Sequence, residues 1–388
     1  MRRVLTYLTA LVLSLGSLAV GSFTADLPFW LRALQLPLTS DEVYLPVAAI
    51  GESRGGEPGP PAVAAGVAAS AAGGDVAALE SAVTRARNAG SRALLVMRGG
   101  EPLLTRYFGA DDDGSLLPAG LVARPVAAMA MGLALADRHL ASLDEPVARY
   151  LPEWDEEPRG RITLRQLIDD TSGLETGGDT RRLLRQSPWH DLARLPAFAT
   201  AKGVRLLLGN DFARTALRFD LDHEPGGFYN VSPVNTQLVA LILERVTGAP
   251  YEHYVEEHVW RAAGAGRAEL ALDRRAGMPA AHCCWRATAP DVARVVSLLA
   301  TDGQYRGRQV LPAAWVQEMA RASRVNAGSG MQLTRLDIGN LAVLSGSDDD
   351  GSAFWVIPER RLAIINIVNQ EGASPPDLPD LLLRANVL

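Results

Sequence analysis

The chain has 388 residues, a formal net charge of −6 and 48% hydrophobic residues, a composition typical of a globular protein and too apolar for a disordered one. The length allows one large domain or two of medium size. The mild acidity argues against a nucleic-acid-binding protein, which needs basic stripes to neutralise phosphates. Only one of the 38 cationic side chains is a lysine, Lys202, so lysine-base and Schiff-base mechanisms are excluded unless Lys202 supplies the amine.

The N-terminus carries an uncharged apolar run, Val4 to Phe23, behind Arg2 and Arg3. A helix of about 20 apolar residues crosses a bilayer, and the two arginines favour a cytoplasmic start. A cleavable signal peptide is the alternative, since Ala19-Val20-Gly21 is compatible with a small-residue cleavage site. The length of the run, and the pair Phe29-Trp30 as interface residues, favour an uncleaved anchor. Both alternatives place the rest of the chain outside the cytoplasm, either on the periplasmic or outer face of the membrane or secreted.

Three segments are predicted along the chain. Residues 1–25 are the anchor or signal peptide. Residues 26–75 are predicted to be a tether, because Glu52 to Gly74 is rich in Gly, Pro and Ala and lacks apolar periodicity. Residues 76–388 are predicted to form the folded domain.

Apolar periodicity predicts strands at both ends of this domain and helices between them. A helix from Asp75 ends at Asn88-Ala89-Gly90, and a hairpin of strands Arg92–Met97 and Pro102–Phe108 follows. Further helices are predicted at Pro125–His139, Leu164–Asp170, Thr236–Thr247 and Ala289–Asp302, and further strands at Leu341–Ser345, Ser352–Ile357 and Leu362–Val368. This order indicates an α+β fold whose sheet is closed by both chain ends.

The cysteines and histidines predict neither a disulfide nor a metal site. Cys283 and Cys284 are neighbours, and a bridge between neighbours closes a small strained ring, so we expect two small buried side chains. His253 and His258 fit neither spacing of the helical zinc motifs. No metal and no cofactor are therefore expected.

Short segments over residues 76–388 match one family in order and spacing. They are Met131–Trp154, Ile162–Leu174 (similar to the family run LRHLLTMTSGL), Glu224-Pro225-Gly226, Asn235–Leu238, Glu244–Gly248, Cys283–Gly303 and Trp315-Val316. Together they resemble the serine β-lactamase and penicillin-binding-protein superfamily, in particular its class C-related branch with the 6-aminohexanoate-dimer hydrolases. The resemblance implies a β-lactamase/transpeptidase-like fold, with an antiparallel sheet, flanking helices and an inserted helical region.

The catalytic motif of that family is absent at the matching position. In the family a serine attacks a carbonyl, and a lysine three residues later takes its proton. The residues before this site are matched by Ser115–Gly120, but Leu121 and Arg124 then stand where serine and lysine are expected. Leucine has no nucleophilic atom, and arginine does not give up its proton near neutral pH.

Two further family motifs have also changed. The tyrosine of the Tyr-x-Asn or Tyr-x-Ser motif matches Val231, followed by Ser232 and Pro233, with Tyr229 two residues earlier. The Lys-Thr-Gly or His-x-Gly motif is matched to Asp349-Asp350-Gly351, which keeps the glycine and loses the cation. We expect Arg124 to pair with Asp349 or Asp350; the alternative is that Arg124 points elsewhere and these aspartates form a solvated turn.

These losses predict a pseudoenzyme of the family that binds a small ligand or a protein partner, with a cell-wall-related ligand as one expectation. The alternative is an active esterase, amidase or β-lactamase-like hydrolase with a non-standard nucleophile. Its candidates are Ser232, Ser345 or Ser347, together with Tyr229.

Overall fold

The computed structural model describes residues 26–35, 45–51, 76–178, 180–185, 195–348, 350–368 and 378–379. The apolar run 4–23 and the Gly/Pro/Ala-rich stretch 52–74 lie outside these ranges, as does Asp349. Within the described ranges, no helix combines the length and the apolar character that a membrane crossing requires.

The described strands and helices follow the predicted α+β order. The strands are β1 (Val47–Ile50), β2 (Ser91–Arg98), β3 (Glu101–Tyr107), β4 (Leu117–Pro118), β5 (Ala268–Ala271), β6 (Trp285–Ala287), β7 (Gln304–Tyr305), β8 (Arg308–Gln309), β9 (Ser329–Gly330), β10 (Leu333–Ile338), β11 (Leu341–Ser347), β12 (Ala353–Ile357) and β13 (Leu362–Val368). The helices are α1 (Leu27–Gln35), α2 (Val76–Asn88), α3 (Ala123–Ala136), α4 (Leu164–Ile168), α5 (Thr180–Arg185), α6 (Leu195–Thr200), α7 (Lys202–Leu208), α8 (Phe212–Ala216), α9 (Pro233–Thr247), α10 (Tyr251–Val255), α11 (Ala289–Ala300) and α12 (Ala313–Ala320).

A seven-stranded antiparallel sheet forms the centre of the domain, in the order β3-β2-β13-β12-β11-β10-β9. Strands from the two chain ends lie side by side, since β2 pairs with β13, and the predicted closure of the sheet is confirmed. Side chains alternate between the two faces of each strand. Leu94 and Val96 of β2 pack against Leu79 and Val83 of α2 on one face. The other face belongs to the larger core shared with the helical region.

The helical region between the strands packs around α3 and α9. The strand β4 belongs to a second antiparallel sheet, ordered β1-β5-β6-β4, and its end leads into the start of α3. The backbone N–H of Ala119 donates to the carbonyl of Trp285, 2.8 Å away, which ties this approach to β6. The small sheet thus fixes where α3 begins, and the first turn of α3 carries Arg124 of the candidate site.

The tether predicted over residues 26–75 is wrong for two of its segments. Residues 27–35 form the helix α1, and β1 pairs with β5 of the small sheet. Phe29 and Trp30, expected at a membrane interface, are instead buried against Phe198. Aromatic side chains gain more from this apolar cluster than from an exposed position, and composition alone does not reveal the partner helix.

The expectation of two unbridged cysteines is also wrong. Cys283 and Cys284 form a disulfide between neighbouring residues. The backbone of Cys284 takes up a φ of +65°, in the left-handed region, which allows the small ring to close. Both side chains pack against the larger core but are only partly buried, so the expected burial is also not observed.

His282, next to this disulfide, provides a test of acid sensitivity. Its Nδ1 lies 3.0 Å from Oε1 of Gln237, and burial lowers the pKa of His282 from 6.5 to about 4. Between these values the unfolded chain binds a proton that the folded protein does not bind. The free energy of unfolding should therefore fall as the pH is lowered from 6.5 to about 4, by up to ~1.4 kcal/mol per pH unit.

Urea unfolding of the wild type and of His282→Gln at several pH values measures this contribution. The glutamine side chain can still donate to Gln237 but does not titrate, so the variant should lose this part of the slope. Equal slopes in the two proteins would contradict the assignment.

Candidate functional site

The site begins at the short 3₁₀ turn Gly120–Val122, which continues directly into α3. Leu121, at the position of the family nucleophile, is only 2% exposed and belongs to the larger core. The strand β11 packs against this turn. A Cβ placed on Gly346 of β11 would lie 3.2 Å from the carbonyl oxygen of Leu121, so the two backbones approach closely. An apolar side chain is therefore packed at the position that the sequence resemblance matches to the family nucleophile.

The strand position beside this turn differs from the predicted one. Gly346 and Asp348 contact the turn, whereas Gly351 lies in the connection between β11 and β12. A Cβ on Gly120 would lie 1.7 Å from Oδ2 of Asp348, so this carboxylate rests against the start of α3. The predicted match of the family glycine motif to Asp349-Asp350-Gly351 was displaced along the chain, because the sequence locates this motif only approximately within the loop. An acidic group stands there all the same.

Arg124 does not pair with Asp350, which corrects that half of the prediction. Its Nη2 donates to Oδ2 of Asp170 in an ion pair, and its Nε donates to Oε1 of Gln332 over 3.1 Å. Asp350 instead accepts a hydrogen bond from the backbone N–H of Ser352, at 2.8 Å. The aspartate that neutralises Arg124 thus comes from the end of α4 rather than from the β11–β12 connection.

Asp170 is the buried centre of a polar network. Nδ2 of Asn235 donates to its Oδ1 over 2.9 Å, and the Ser232 backbone and the Gln332 side chain also donate to it. Burial raises the pKa of the Asp170 carboxyl, while Arg124 and these donors oppose the rise. Burying a carboxylate is costly unless it is paired and fully hydrogen-bonded. The contacts of Asp170 satisfy both conditions.

The sequence contains a signal for Asp170 that motif reading missed. In the family run LRHLLTMTSGL, the residue before the Thr-Ser-Gly is methionine, and this chain has Asp170 there. A charged residue has thus replaced an apolar one between the buried Ile168 and Thr171. Arg124 keeps the positive charge of the lysine expected there, so the carboxylate of Asp170 is an added charge, and it pairs with Arg124.

The polar side chains in the first turn of α9 are buried, and each of them has a hydrogen-bond partner. Besides Asn235, Oγ1 of Thr236 donates to Gln332 over 2.8 Å, and Nε2 of Gln237 donates to the carbonyl of Pro279 over 2.9 Å. Pro233 opens the helix at its first position, where no backbone donor is needed. The segment Asn235–Leu238, one of those that match the family, therefore has a structural role. Its hydrogen bonds join α9 to Asp170 at the end of α4 and to Gln332.

Tyr229 enters the site, whereas Val231 does not. Val231 is 43% exposed, at the position of the family tyrosine. The phenol of Tyr229 hydrogen-bonds with Arg124 and with Ser329, and burial raises the pKa of Tyr229. Among the predicted pocket residues, the structure therefore brings together Arg124 and Tyr229, and it adds Asp170 and Gln332.

The three candidate serines lack the partners that a nucleophile needs. Ser232 is buried and donates to the carbonyl of Glu175 over 2.9 Å, and Ser345 donates to that of Phe354 over 2.9 Å. By strand alternation, Ser345 and Ser347 share the face of β11 with Val343, whose core cluster contains α2 and excludes Leu121. In the described part of the chain, none of the three hydroxyls contacts a carboxylate, an imidazole or an amine. The same ranges hold no cluster of His, Cys, Asp and Glu suited to a metal ion.

Comparison with known proteins identifies the family. The family model described as Beta-lactamase matches residues 76–388, which is most of the chain. The chain belongs to the Beta-lactamase family. The resemblance to serine β-lactamases and penicillin-binding proteins, and the fold that it implies, are thereby confirmed.

Individual relatives agree with this membership. The chain is 26% identical over 176 residues to Protein flp of Staphylococcus aureus (strain MW2), covering 43% of this chain and 32% of that protein. It is 27% identical over 229 residues to the 6-aminohexanoate-dimer hydrolase of Paenarthrobacter ureafaciens, covering 58% of this chain and 56% of the hydrolase. The chain thus spans about a third to just over half of these curated relatives.

Solved structures show the shared fold. A Bacillus anthracis protein assigned as a 6-aminohexanoate-dimer hydrolase superposes with a TM-score of 0.62 at 20% identity, covering 78% of each chain.

Proposed function

We propose that this chain is a non-catalytic member of the Beta-lactamase family, anchored by residues 4–23 with its domain outside the cytoplasm. The proposal rests on the contacts of the Arg124 guanidinium. Its guanidinium is held by Asp170 and Gln332, at the position from which the family lysine would take the proton of the nucleophile. A side chain that keeps its proton, and is also bound to a carboxylate, does not act as a base.

The residue at the nucleophile position supports the same proposal. Leu121 has no atom that can form an acyl bond, and its burial indicates that the surrounding core has adapted to an apolar side chain. The candidate serines are either bonded to backbone carbonyls or lie on the opposite face of β11. General-base activation requires a base within hydrogen-bond reach of the hydroxyl, and these serines have none among the described residues.

The proposed role is to bind a small ligand or a protein partner at the former active site. The presence of a buried ion pair is weak evidence that the pair stabilises the fold. It does, however, fix the polar groups around it in a defined arrangement. Here it presents Arg124 beside Tyr229, so a cation and a phenol stand together on a fixed scaffold. A cell-wall fragment is one ligand to examine, because the anchored domain would face the wall.

A fluorescent penicillin and a fluorophosphonate probe test the absence of catalysis. We expect no covalent label on the purified wild-type protein. Clean labelling that maps to one serine would overturn the proposal in favour of a hydrolase with a non-standard nucleophile.

A restored variant shows whether the scaffold could still support the chemistry. It combines Leu121→Ser, Arg124→Lys, Asp170→Met and Val231→Tyr. Asp170 is included because its carboxylate would keep a lysine at position 124 protonated. We expect labelling only in this variant and none in the matched control, which has Leu121→Ala with the other three changes.

A further inference from the structure

Helix α1 has an apolar face that the described protein leaves uncovered. Leu27, Leu31 and Leu34 are 45%, 51% and 40% exposed. Their spacing of four and then three residues places them in one stripe along the helix. The one charged residue between Leu27 and Gln35 is Arg32, which is buried on the other side. The exposed face therefore carries no ionisable group.

The opposite face of α1 is attached firmly to the domain. Phe29 and Trp30 pack in an apolar cluster with residues of α6 and α7. The guanidinium of Arg32 donates to the carbonyls of Leu208, Gly209 and Asp273. The three leucines cannot turn inward without breaking these contacts, so the domain fixes the direction in which the stripe faces.

The apolar run that precedes α1 indicates what the stripe contacts. The run ends at Phe23, four residue steps before Leu27. Four steps of extended chain cover at most about 14 Å. If the run crosses a bilayer as proposed above, α1 begins within that distance of the membrane. An uncharged leucine stripe so close to lipid matches the way an interfacial helix is seated.

We infer that α1 lies in the headgroup region of the bilayer that holds the anchor, with Leu27, Leu31 and Leu34 among the lipid chains. This inference rests on the proposed anchoring and adds a second contact. Because α1 is attached to α6 and α7, the whole domain would be held in one orientation on the membrane. A domain on a flexible linker would have no such preference.

The test uses the full chain reconstituted in vesicles of phosphatidylcholine and phosphatidylglycerol. A spin label is placed at Leu31→Cys or, as a matched control, at Leu336→Cys, another exposed leucine that lies on β10. The native cysteines are bridged and do not compete for the label without reductant. Collision rates with oxygen, which concentrates in lipid, and with a water-soluble nickel chelate report the environment of each label.

We expect the oxygen-to-nickel ratio at position 31 to exceed that at position 336 by about fivefold, as for side chains below the headgroups. Equal ratios in a chain that floats with the vesicles would overturn the inference and leave the anchoring in place. A chain that does not float would overturn the anchoring, and the inference with it. The label at position 31 could instead be shielded from both oxygen and the nickel chelate. If light scattering also showed a dimer, the leucine stripe would be assigned as a contact with a second copy of the chain.

Discussion

Replacing Arg124 with leucine should reduce the free energy of unfolding by about 3 kcal/mol or more. The variant leaves Asp170 buried with no cation, and removing one partner of a buried pair exposes the full cost of desolvating the other. Asn235 and Gln332 would still donate to the carboxylate, but neutral donors do not replace a positive charge. Urea unfolding at pH 7, followed by circular dichroism, measures the loss.

The double variant Arg124→Leu and Asp170→Met provides the matched control. It removes both charges and restores the apolar residue of the family run, so it should recover to within about 1 kcal/mol of the wild type. The single change Asp170→Met should cost less than Arg124→Leu, because the Arg124 side chain is 26% exposed and can reach water. A loss below about 1 kcal/mol for Arg124→Leu would show that the pair is not coupled as described.

Replacing Arg32 with methionine should weaken the attachment of α1 to the domain, at a free-energy cost similar to that of Arg124→Leu. Three backbone carbonyls, those of Leu208, Gly209 and Asp273, lose their charged donor, and each such hydrogen bond contributes about 1.5 to 3 kcal/mol. The stem of methionine keeps much of the packing, so the loss reports mainly on the hydrogen bonds. We expect faster amide exchange over residues 27–35 by at least tenfold, measured by mass spectrometry.

Leu34→Ser is the matched control on the same helix. Leu34 is exposed in the described protein, so its replacement should change amide exchange in detergent by less than about twofold. Equal effects of the two variants would mean that the buried guanidinium does not hold α1 in place.

The sequence predicts the central sheet and the long helices well because their signals are local. The apolar run Leu362–Val368 and the helical period in Ala289–Ala300 each lie within a dozen residues, and both elements form as predicted. Helix α1 and strand β1 were missed, since both are stabilised by partners far along the chain. A segment's own composition carries no information about such partners.

The candidate site was predicted in part. Leu121 lies in the turn before α3, Arg124 lies in the first turn of α3, and Tyr229 hydrogen-bonds with Arg124. The pairing of Arg124 with Asp350 was predicted wrongly, because charge complementarity alone does not distinguish Asp170 from Asp350. Only the packing of α4 against α9 brings Asp170 to Arg124.

The ion pair between Arg124 and Asp170 also bears on how such a chain could evolve. A lysine at position 124 would meet the same buried carboxylate, which would favour its ammonium form and prevent it from accepting a proton. Removing Asp170 first would leave Arg124 without its partner, and removing Arg124 first would cost stability. A serine at position 121 alone would therefore still lack a base, and a lysine at position 124 would serve as one only after Asp170 had also changed.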